Sequence, residues 1–285
     1  MSSGSGILYV VATPIGNLED LSARAASTLS SVAVVAAEDT RHSGRLLSHL
    51  GIQTELISCH EHNEAKRIPE LLQRLQAGED VALISDAGTP LISDPGYRLV
   101  AEAAATGIRV CPVPGSSAVM AALSVAGLPT DEFLFAGFLP TTTKRRAEKL
   151  AELAGARSTL VLFESVHRIS ECLHALVEAF GPDRQAVAAR ELTKLHETIY
   201  RGTLAEVLQQ VDSAAGATKG EYTLVISGAA EELPETAELD RVLEVMLGYL
   251  GVRQAADAAA KLLGVRKNKA YKRALQLREG SDEEY

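Results

Sequence analysis

His60, Glu61 and His62 stand within Cys59-His-Glu-His-Asn63, where alternate imidazoles share one face of an extended chain and form two legs of a metal site. No third ligand follows at a recognisable spacing, so the run reads as a polar loop that contacts a substrate, beside the plainer alternative of a surface loop whose Asn63 caps the next helix. Glu38-Asp39-Thr40-Arg41 offers two carboxylates and a guanidinium, which either cap a helix or act on a ligand. Ser85-Asp-Ala-Gly-Thr-Pro-Leu-Ile-Ser-Asp-Pro-Gly96 places two turn-forming clusters directly after the apolar run Val81 to Ile84. That loop is longer than the roughly two to six residues a strand-to-helix connection needs, and glycine in it lets backbone amides approach a ligand closely. Glu164-Ser-Val-His-Arg168 and Arg190-Glu-Leu-Thr-Lys194 also follow strands and are placed to face a cleft, although ordinary ion pairing accounts for either alone.

A scaffold must bring these strand ends together. Apolar runs at Ile7 to Ala12, Val32 to Ala37, Glu55 to Ile57, Val81 to Ile84 and Arg109 to Val113 alternate with helical patterns at Asp20 to Leu29, Ser43 to Leu50, Glu64 to Gln76, Gly96 to Thr106 and Ser116 to Ala126. Pro95 is well placed to open the fourth helix. Such β-α repetition predicts a mainly parallel sheet with right-handed crossovers and helices on both faces. Ligands bind beyond the carboxyl ends of the strands in such sheets. Thr13-Pro-Ile-Gly-Asn17, Glu38 to Arg41, Ser85 to Gly96 and Pro114-Gly-Ser-Ser117 then converge on one edge, as a pocket for a small polar cofactor. The chain has no G-x-G-x-x-G after its first strand, no G-x-x-x-x-G-K-[ST] and no nucleophile elbow, which disfavours NAD and ATP by those routes.

Leu128 to Thr143, with Pro129, Gly137, Pro140 and a threonine-rich end, reads as a break and a first domain boundary. Beyond it, strands at Thr159 to Phe163, Gln185 to Ala189, Glu197 to Tyr200 and Tyr222 to Ser227, with helices at Val166 to Phe180 and Leu204 to Val211, predict a mixed sheet. Thr203 and Glu206 form a capping-box pattern. Ala229 to Pro234 reads as an acidic linker into two short helices, Gln254 to Leu263 and Lys267 to Leu277, turning at Gly264 as in a helix-turn-helix. The expected domains are residues 7–127, 128–229 and 235–279.

A chain of 285 residues with 46% apolar content can bury ample core, and no apolar run approaches the length of a membrane span. Met1 to Gly6 reads as a disordered or appended start, with no signal peptide. Cys59, Cys111 and Cys172 lie far apart, which fits a reducing cytoplasm and gives no disulfide framework or zinc site. Eight basic residues and one acid between Gly251 and Arg278 give that stretch +7 and leave −16 on the rest of a chain whose net charge is −9. A basic module on an acidic body is either a phosphate-binding footprint or a solvated helix face.

Thr13 to Asn17, Ala37 to Arg41, His60 to Asn63, Ser85 to Gly96, Val113-Pro-Gly-Ser-Ser-Ala118 and Phe163-Glu-Ser165, in that order, closely resemble the ribosomal RNA small subunit methyltransferase I family. This is a cytidine 2′-O-methyltransferase branch of the tetrapyrrole-methylase-like, class III enzymes. The resemblance covers about residues 7–229, and the tail resembles the family's C-terminal helical module; Cys59 departs from the aromatic residue expected there. It implies two α/β domains of the tetrapyrrole methylase type with a cofactor cleft between them, S-adenosylmethionine as methyl donor, a homodimer, and a 16S rRNA or small-subunit substrate at the decoding centre. Cofactor contacts are then expected at Pro14, Gly88, Thr89, Pro90, Ile92, Ser93, Ser116, Ser117, Phe163, Tyr222 and Thr223. Catalytic roles fall among Glu38, Asp39, His60 and Glu61, and substrate contacts on Asn17, Arg41 and His62; no metal is expected.

Methyl transfer from a sulfonium is an in-line displacement, so the acceptor oxygen must be held opposite the sulfur. A ribose hydroxyl is a poor nucleophile, and a carboxylate or imidazole that takes its proton would help; any of the four candidates is of the right type. Arg41 and Lys144-Arg145-Arg146 suit phosphates, and the basic tail extends that grip. With no Trp and 4% aromatic residues, base stacking is sparse and an assembled RNA shape is the expected target. Two alternatives stand beside this reading: a methyltransferase of the same fold acting on a tetrapyrrole precursor, which needs no +7 module, and a non-catalytic nucleic-acid-binding regulator, which needs no cluster of polar strand-end loops.

Overall fold

The computed structural model describes residues 4–214, 220–229 and 237–281. Five strands, β1 (Ile7–Val11), β2 (Val34–Ala37), β3 (Glu55–Ser58), β4 (Val81–Ile84) and β5 (Arg109–Val113), form a wholly parallel sheet in the order β3-β2-β4-β1-β5. Helices α1 (Ala23–Ser31), α2 (Thr40–His49), α3 (Glu64–Gln76), α4 (Tyr97–Ala105) and α5 (Ala118–Ala126) alternate with the strands. The two-residue side-chain period divides β2 between two cores. Val34 and Ala36 pack with Leu71 and Leu75 of α3 and Leu99 of α4, while Val35 and Ala37 pack with Leu29 of α1 and Leu47 of α2. All five strands point the same way, so the loops after them share one edge.

The second sheet contains β6 (Phe133–Phe138), β7 (Thr159–Ser165), β8 (Gln185–Arg190), β9 (Thr198–Thr203) and β10 (Glu221–Ile226), in the order β6-β7-β10-β8-β9. Only the β6 to β7 pair is parallel. Leu160, Leu162, Leu224 and Ile226 face α6 (Thr143–Ala154), α7 (Ile169–Phe180) and α8 (Leu204–Ser213). Val161, Val187 and Val225 face the other way, onto Val119, Ala122, Leu123 and Ala126 of α5. The last helix of the first sheet therefore covers the second. Both sheets belong to one compact unit ending at Gly228.

Residues from Ala229 onward form a separate unit. Its helices α9 (Ala237–Leu247), α10 (Val252–Leu263) and α11 (Lys267–Ser281) close on Leu239, Leu243, Ala255, Ala256, Ala259, Ala270 and Ala274. Small residues allow the three backbones to approach closely. Gly264 ends α10 at φ 67°, the left-handed turn that glycine adopts without strain.

Several expectations need correction. Leu128 to Thr143 is not a break: it contains β6, with Gly137 at a bulge, and leads into α6. The tail has three helices, because α9 precedes the expected two. Pro95 does not open α4; Gly96 caps it at φ 116°, where a Cβ would stand 2.8 Å from Leu83 Cδ2. Gly6 is buried and donates to the Leu75 carbonyl at 2.7 Å, so the start is packed from there, while Met1 to Ser3 lie outside the described residues. Of the expected linker, residues 230–234 also lie outside them.

The Thr203 to Glu206 capping box is present: Thr203 Oγ1 accepts from Glu206 N at 3.2 Å, and Glu206 Oε2 accepts from Thr203 N at 2.8 Å. Thr203→Ala is expected to cost about 1 kcal/mol, lowering Tm by roughly 2–4 °C, as a thermal scan would read.

Candidate active site

A cavity of about 400 Å³ opens where the strand-end loops of the first sheet meet the α5-covered face of the second. Its first wall comes from Ile15 after β1, Glu38 after β2, the loop after β4 and Ser117 at the start of α5. Thr13 N donates to Gly88 O at 2.9 Å and Gly88 N to Thr13 O at 3.1 Å, so the β1 and β4 loops are tied by a two-residue bridge. Thr13 Oγ1 donates to Ser85 O at 3.2 Å, and Thr89 Oγ1 to Ser116 O at 3.1 Å, adding the β5 loop. Gly88, Leu91, Ser93 and Gly96 all have left-handed φ, between 68° and 116°. For Leu91 and Ser93 that conformation costs about 1–3 kcal/mol each, which is the strain expected of a loop shaped for a ligand.

The second wall comes from Phe138, Phe163, Glu191, Leu192, Lys194 and residues 220–223. Phe163 meets Phe138 and Phe135 edge to face, with centroids 5.6 and 4.9 Å apart. The charges divide by side. Glu38, Asp86 and Asp94 line the first wall; burial, then the charges of Asp86 and Asp94, raises the Glu38 pKa, and burial likewise raises Asp94. On the second wall Lys194 Nζ binds Glu191 Oε1 at 2.8 Å and Glu221 Oε2 at 3.1 Å. Burial depresses its pKa, but the two carboxylates outweigh that and keep it protonated.

Residues 7–208 match the family of Tetrapyrrole (Corrin/Porphyrin) Methylases, and residues 234–278 match the RsmI C-terminal HTH domain. A Pseudomonas aeruginosa protein named ribosomal RNA small subunit methyltransferase I is 52% identical over 95% of this chain and 98% of its own length. A Mesorhizobium japonicum protein of the same name is 48% identical over 97% and 94%. The chain belongs to the ribosomal RNA small subunit methyltransferase I family. Its fold also matches a crystal structure of uroporphyrin-III C-methyl transferase from Thermus thermophilus complexed with S-adenyl homocysteine, with TM-score 0.54, 20% identity, and coverage of 78% of this chain and 97% of that one.

In this member of the family the cavity gathers Gly88, Thr89, Ile92, Ser93, Ser117, Phe163, Tyr222 and Thr223 from the residues expected around a cofactor, and Glu38 from those expected to be catalytic. Tyr222 contributes differently from Phe163: its side chain packs in the core on the far face of the second sheet, so its backbone borders the cavity. Pro14, Pro90 and Ser116 are not among the lining residues; Ser116 acts through its carbonyl on Thr89.

Asp39 caps α2, accepting from Arg41 N at 2.8 Å and from the Arg41 guanidinium at 3.2 and 2.9 Å, which holds its carboxyl far below the usual range. The helix-cap reading of this run therefore applies to Asp39, while Glu38 beside it faces the cavity. Asp39 N donates to Asp86 Oδ1 at 3.1 Å, fastening the Glu38 turn to the β4 loop. His60, Glu61 and His62 lie in the loop after β3, outside the cavity lining, with the two imidazole centroids 6.0 Å apart. Asn63 does not cap α3 with its side chain; it accepts from His60 N and donates to Ser58 O, pinning that loop. Asn17 accepts from Glu19 N at 3.1 Å, capping a short 3-10 turn. Glu191, Lys194, Asp86 and Asp94 also line the cavity, and all four lie in runs whose position after strands marks them in the sequence.

Lys144 and Arg145 are exposed on α6, but Arg146 is not. Its side chain is 3% exposed and paired with Glu171 of α7, so it cannot grip a phosphate. Arg146→Met is expected to leave the affinity and salt dependence of RNA binding unchanged, whereas Lys144→Ala with Arg145→Ala weakens binding and flattens the salt slope by about one to two phosphate contacts.

Proposed function

We propose that this chain transfers a methyl group from S-adenosylmethionine to the 2′-oxygen of a cytidine ribose in 16S rRNA, at the decoding centre of the small ribosomal subunit, working as a cytoplasmic homodimer. The observation that supports this reading is the full-length likeness to proteins named ribosomal RNA small subunit methyltransferase I, joined to a cavity built from the strand-end loops. The functional division proposed is 7–127 for the substrate side and part of the cofactor site, 128–229 for the remainder, and 235–279 for RNA. The cavity residues suit the donor. A Cβ at Gly88 would stand 3.2 Å from Ile15 Cγ2 at a φ of 84°, so a backbone-lined cradle is kept open there. Thr89, Ser93 and Ser117 offer hydroxyls for a ribose, and Phe138 and Phe163 an apolar wall for a purine.

S-adenosylmethionine supplies the methyl group on a positively charged sulfur. Glu38 accepts the hydroxyl proton: it lines the cavity, and its raised pKa makes it a stronger base than an exposed glutamate. Asp39 is a weaker base than Glu38, because the Arg41 guanidinium already binds its charge. His60, Glu61 and His62 flank the substrate from the neighbouring loop, Asn17 holds the β1 turn, and the exposed Arg41, Lys144 and Arg145 hold phosphates.

The deciding experiment is transfer of labelled methyl to small-subunit rRNA followed by nucleoside analysis; label on any atom other than a cytidine 2′-oxygen overturns the reading. Glu38→Gln should lower turnover by roughly a hundredfold with donor affinity intact, and Asp39→Asn should lower it less. The wild-type rate should fall as pH drops below a limb above the ordinary glutamate value of 4.5, since the carboxylate is the working form, and Glu38→Gln should lack that limb. Modest losses in both variants with the limb retained would leave positioning as the source of acceleration.

The tail is proposed to grip RNA backbone. Arg273 binds Asp240 at 2.6 and 2.7 Å and Lys267 binds Asp257 at 2.5 Å, so part of its charge is spent internally. Arg253, Lys261, Arg266 and Lys272 remain exposed. Because α9 shares the tail's core, the clean truncation begins at Ala229. It should preserve donor affinity and flatten the salt slope of RNA binding; an unchanged slope would assign the tail a structural role.

A further inference from the structure

Arg168 belongs to a run after β7 that the sequence places to face a cleft, yet it is not among the residues lining the cavity, and nothing in the methyl-transfer chemistry above uses it. Glu164 accounts for its position. The two-residue period that sends Phe163 toward the cavity puts Glu164 on the opposite face with Leu162, where its side chain is wholly buried. Glu164 Oε1 accepts from Ser165 N at 2.8 Å, and Oε2 stands 3.4 Å from Arg168 Nη2. A buried carboxylate is costly unless a cation is set beside it, so the pair fixes where the guanidinium lies. The same Nη2 donates to Leu139 O at 2.9 Å and to Pro140 O at 3.2 Å.

Those two carbonyls lie where the chain loses the guidance of the sheet. The β6 to β7 ladder ends with Phe138 opposite Phe163, and α6 begins at Thr143. Between them the path is held by the Arg168 guanidinium and by the buried Leu139 side chain. Leu150 and Leu153 anchor the body of α6 in the core, and Arg146 ties the inner side of its first turn to Glu171. Lys144 and Arg145 are exposed on that same turn, and the entering chain sets where they point. A contact misplaced by about 1 Å forfeits much of its effect. We propose that Arg168, held by Glu164, is a positioning residue that aims Lys144 and Arg145 at the RNA backbone, and so acts on substrate binding and not on the donor. This rests on the reading of Lys144 and Arg145 as phosphate contacts and adds what orients them.

A mutant cycle on the full chain tests the assignment, read by steady-state methyl transfer to unmethylated small ribosomal subunits and by calorimetric titration with S-adenosylmethionine. Arg168→Met keeps an unbranched apolar stem and loses the guanidinium. It should raise KM for the subunits roughly tenfold, with kcat and donor affinity within about twofold of wild type. Added to Lys144→Ala with Arg145→Ala, the same change should raise KM by less than about twofold, because the groups it aims are gone. Arg168→Lys, which can still donate to the carbonyls, should recover most of the loss. An equal rise in both backgrounds, a matching loss of donor affinity, or no rise in KM would leave Arg168 only a packing role and overturn the proposal. If Lys144→Ala with Arg145→Ala itself leaves KM unchanged, the phosphate-contact reading falls and the proposal with it, while donor binding and methyl transfer stand.

Discussion

Two backbone hydrogen bonds between Thr13 and Gly88 govern the geometry on which the site depends. They join the loops that leave the neighbouring strands β1 and β4, and so fix the β4 loop against the sheet edge. Every other feature of the first wall follows from that anchor. The left-handed residues beyond Gly88 fold the chain back toward α4, the Thr89 hydroxyl reaches the Ser116 carbonyl, and Asp86 is set where it accepts from Asp39 N. The position of Glu38 is thus a consequence of pairing made in the neighbouring strand-end loop. An unstrained loop of this length would be loose; here the strain of Leu91 and Ser93 is tolerated because bonds at both ends over-determine the path.

The first sheet was largely readable from apolar runs, because a parallel strand buried on both faces leaves an unbroken signal such as Val34 to Ala37. Its loops were readable because glycine, proline and hydroxyl residues cluster where backbone must turn. On the second wall Phe163 and Thr223 follow from the family resemblance and Lys194 from its run after a strand, but Phe138 does not, since it reaches the cavity only through the pairing of β6 with β7. β6 was hidden by Pro129, Gly137 and Pro140, which read as turn signals although Gly137 marks a bulge within a strand. Arg146 misled for a different reason: three consecutive basic residues look like one patch, yet a helix turns about 100° per residue and carries the third inward to Glu171. The spacing of Leu239, Val242, Leu243, Met246 and Leu247 carries the helical period of α9, which lies inside the expected 235–279 module but ahead of the two helices expected there.

Electrostatics separates the two halves of the cavity more sharply than shape does. On the first wall burial, with repulsion from neighbouring carboxylates, raises the pKa of Glu38 and of Asp94. On the second wall the same residue type is stabilised as an anion by Lys194, and the Glu191 pKa is lowered despite burial. One cavity therefore offers both a basic carboxylate and an inert one, set by neighbours and not by residue type. The adjacent pair Glu38 and Asp39 repeats the contrast within a single turn.

Helix α5 binds the two sheets into one unit. It ends the β-α series of the first sheet, yet its apolar side chains Val119, Ala122, Leu123 and Ala126 are buried against Val161, Val187 and Val225 of the second. A fragment stopping at Gly127 would carry that helix with nothing to cover it, and the remaining chain would expose one whole face of its sheet. The two sheets look like separable modules in sequence order, but the hydrophobic effect welds them at this helix, so gain and loss of the native state must be shared between them. Evolution could not have exchanged one half without redesigning the face of α5, and the cavity inherits its fixed walls from that bond.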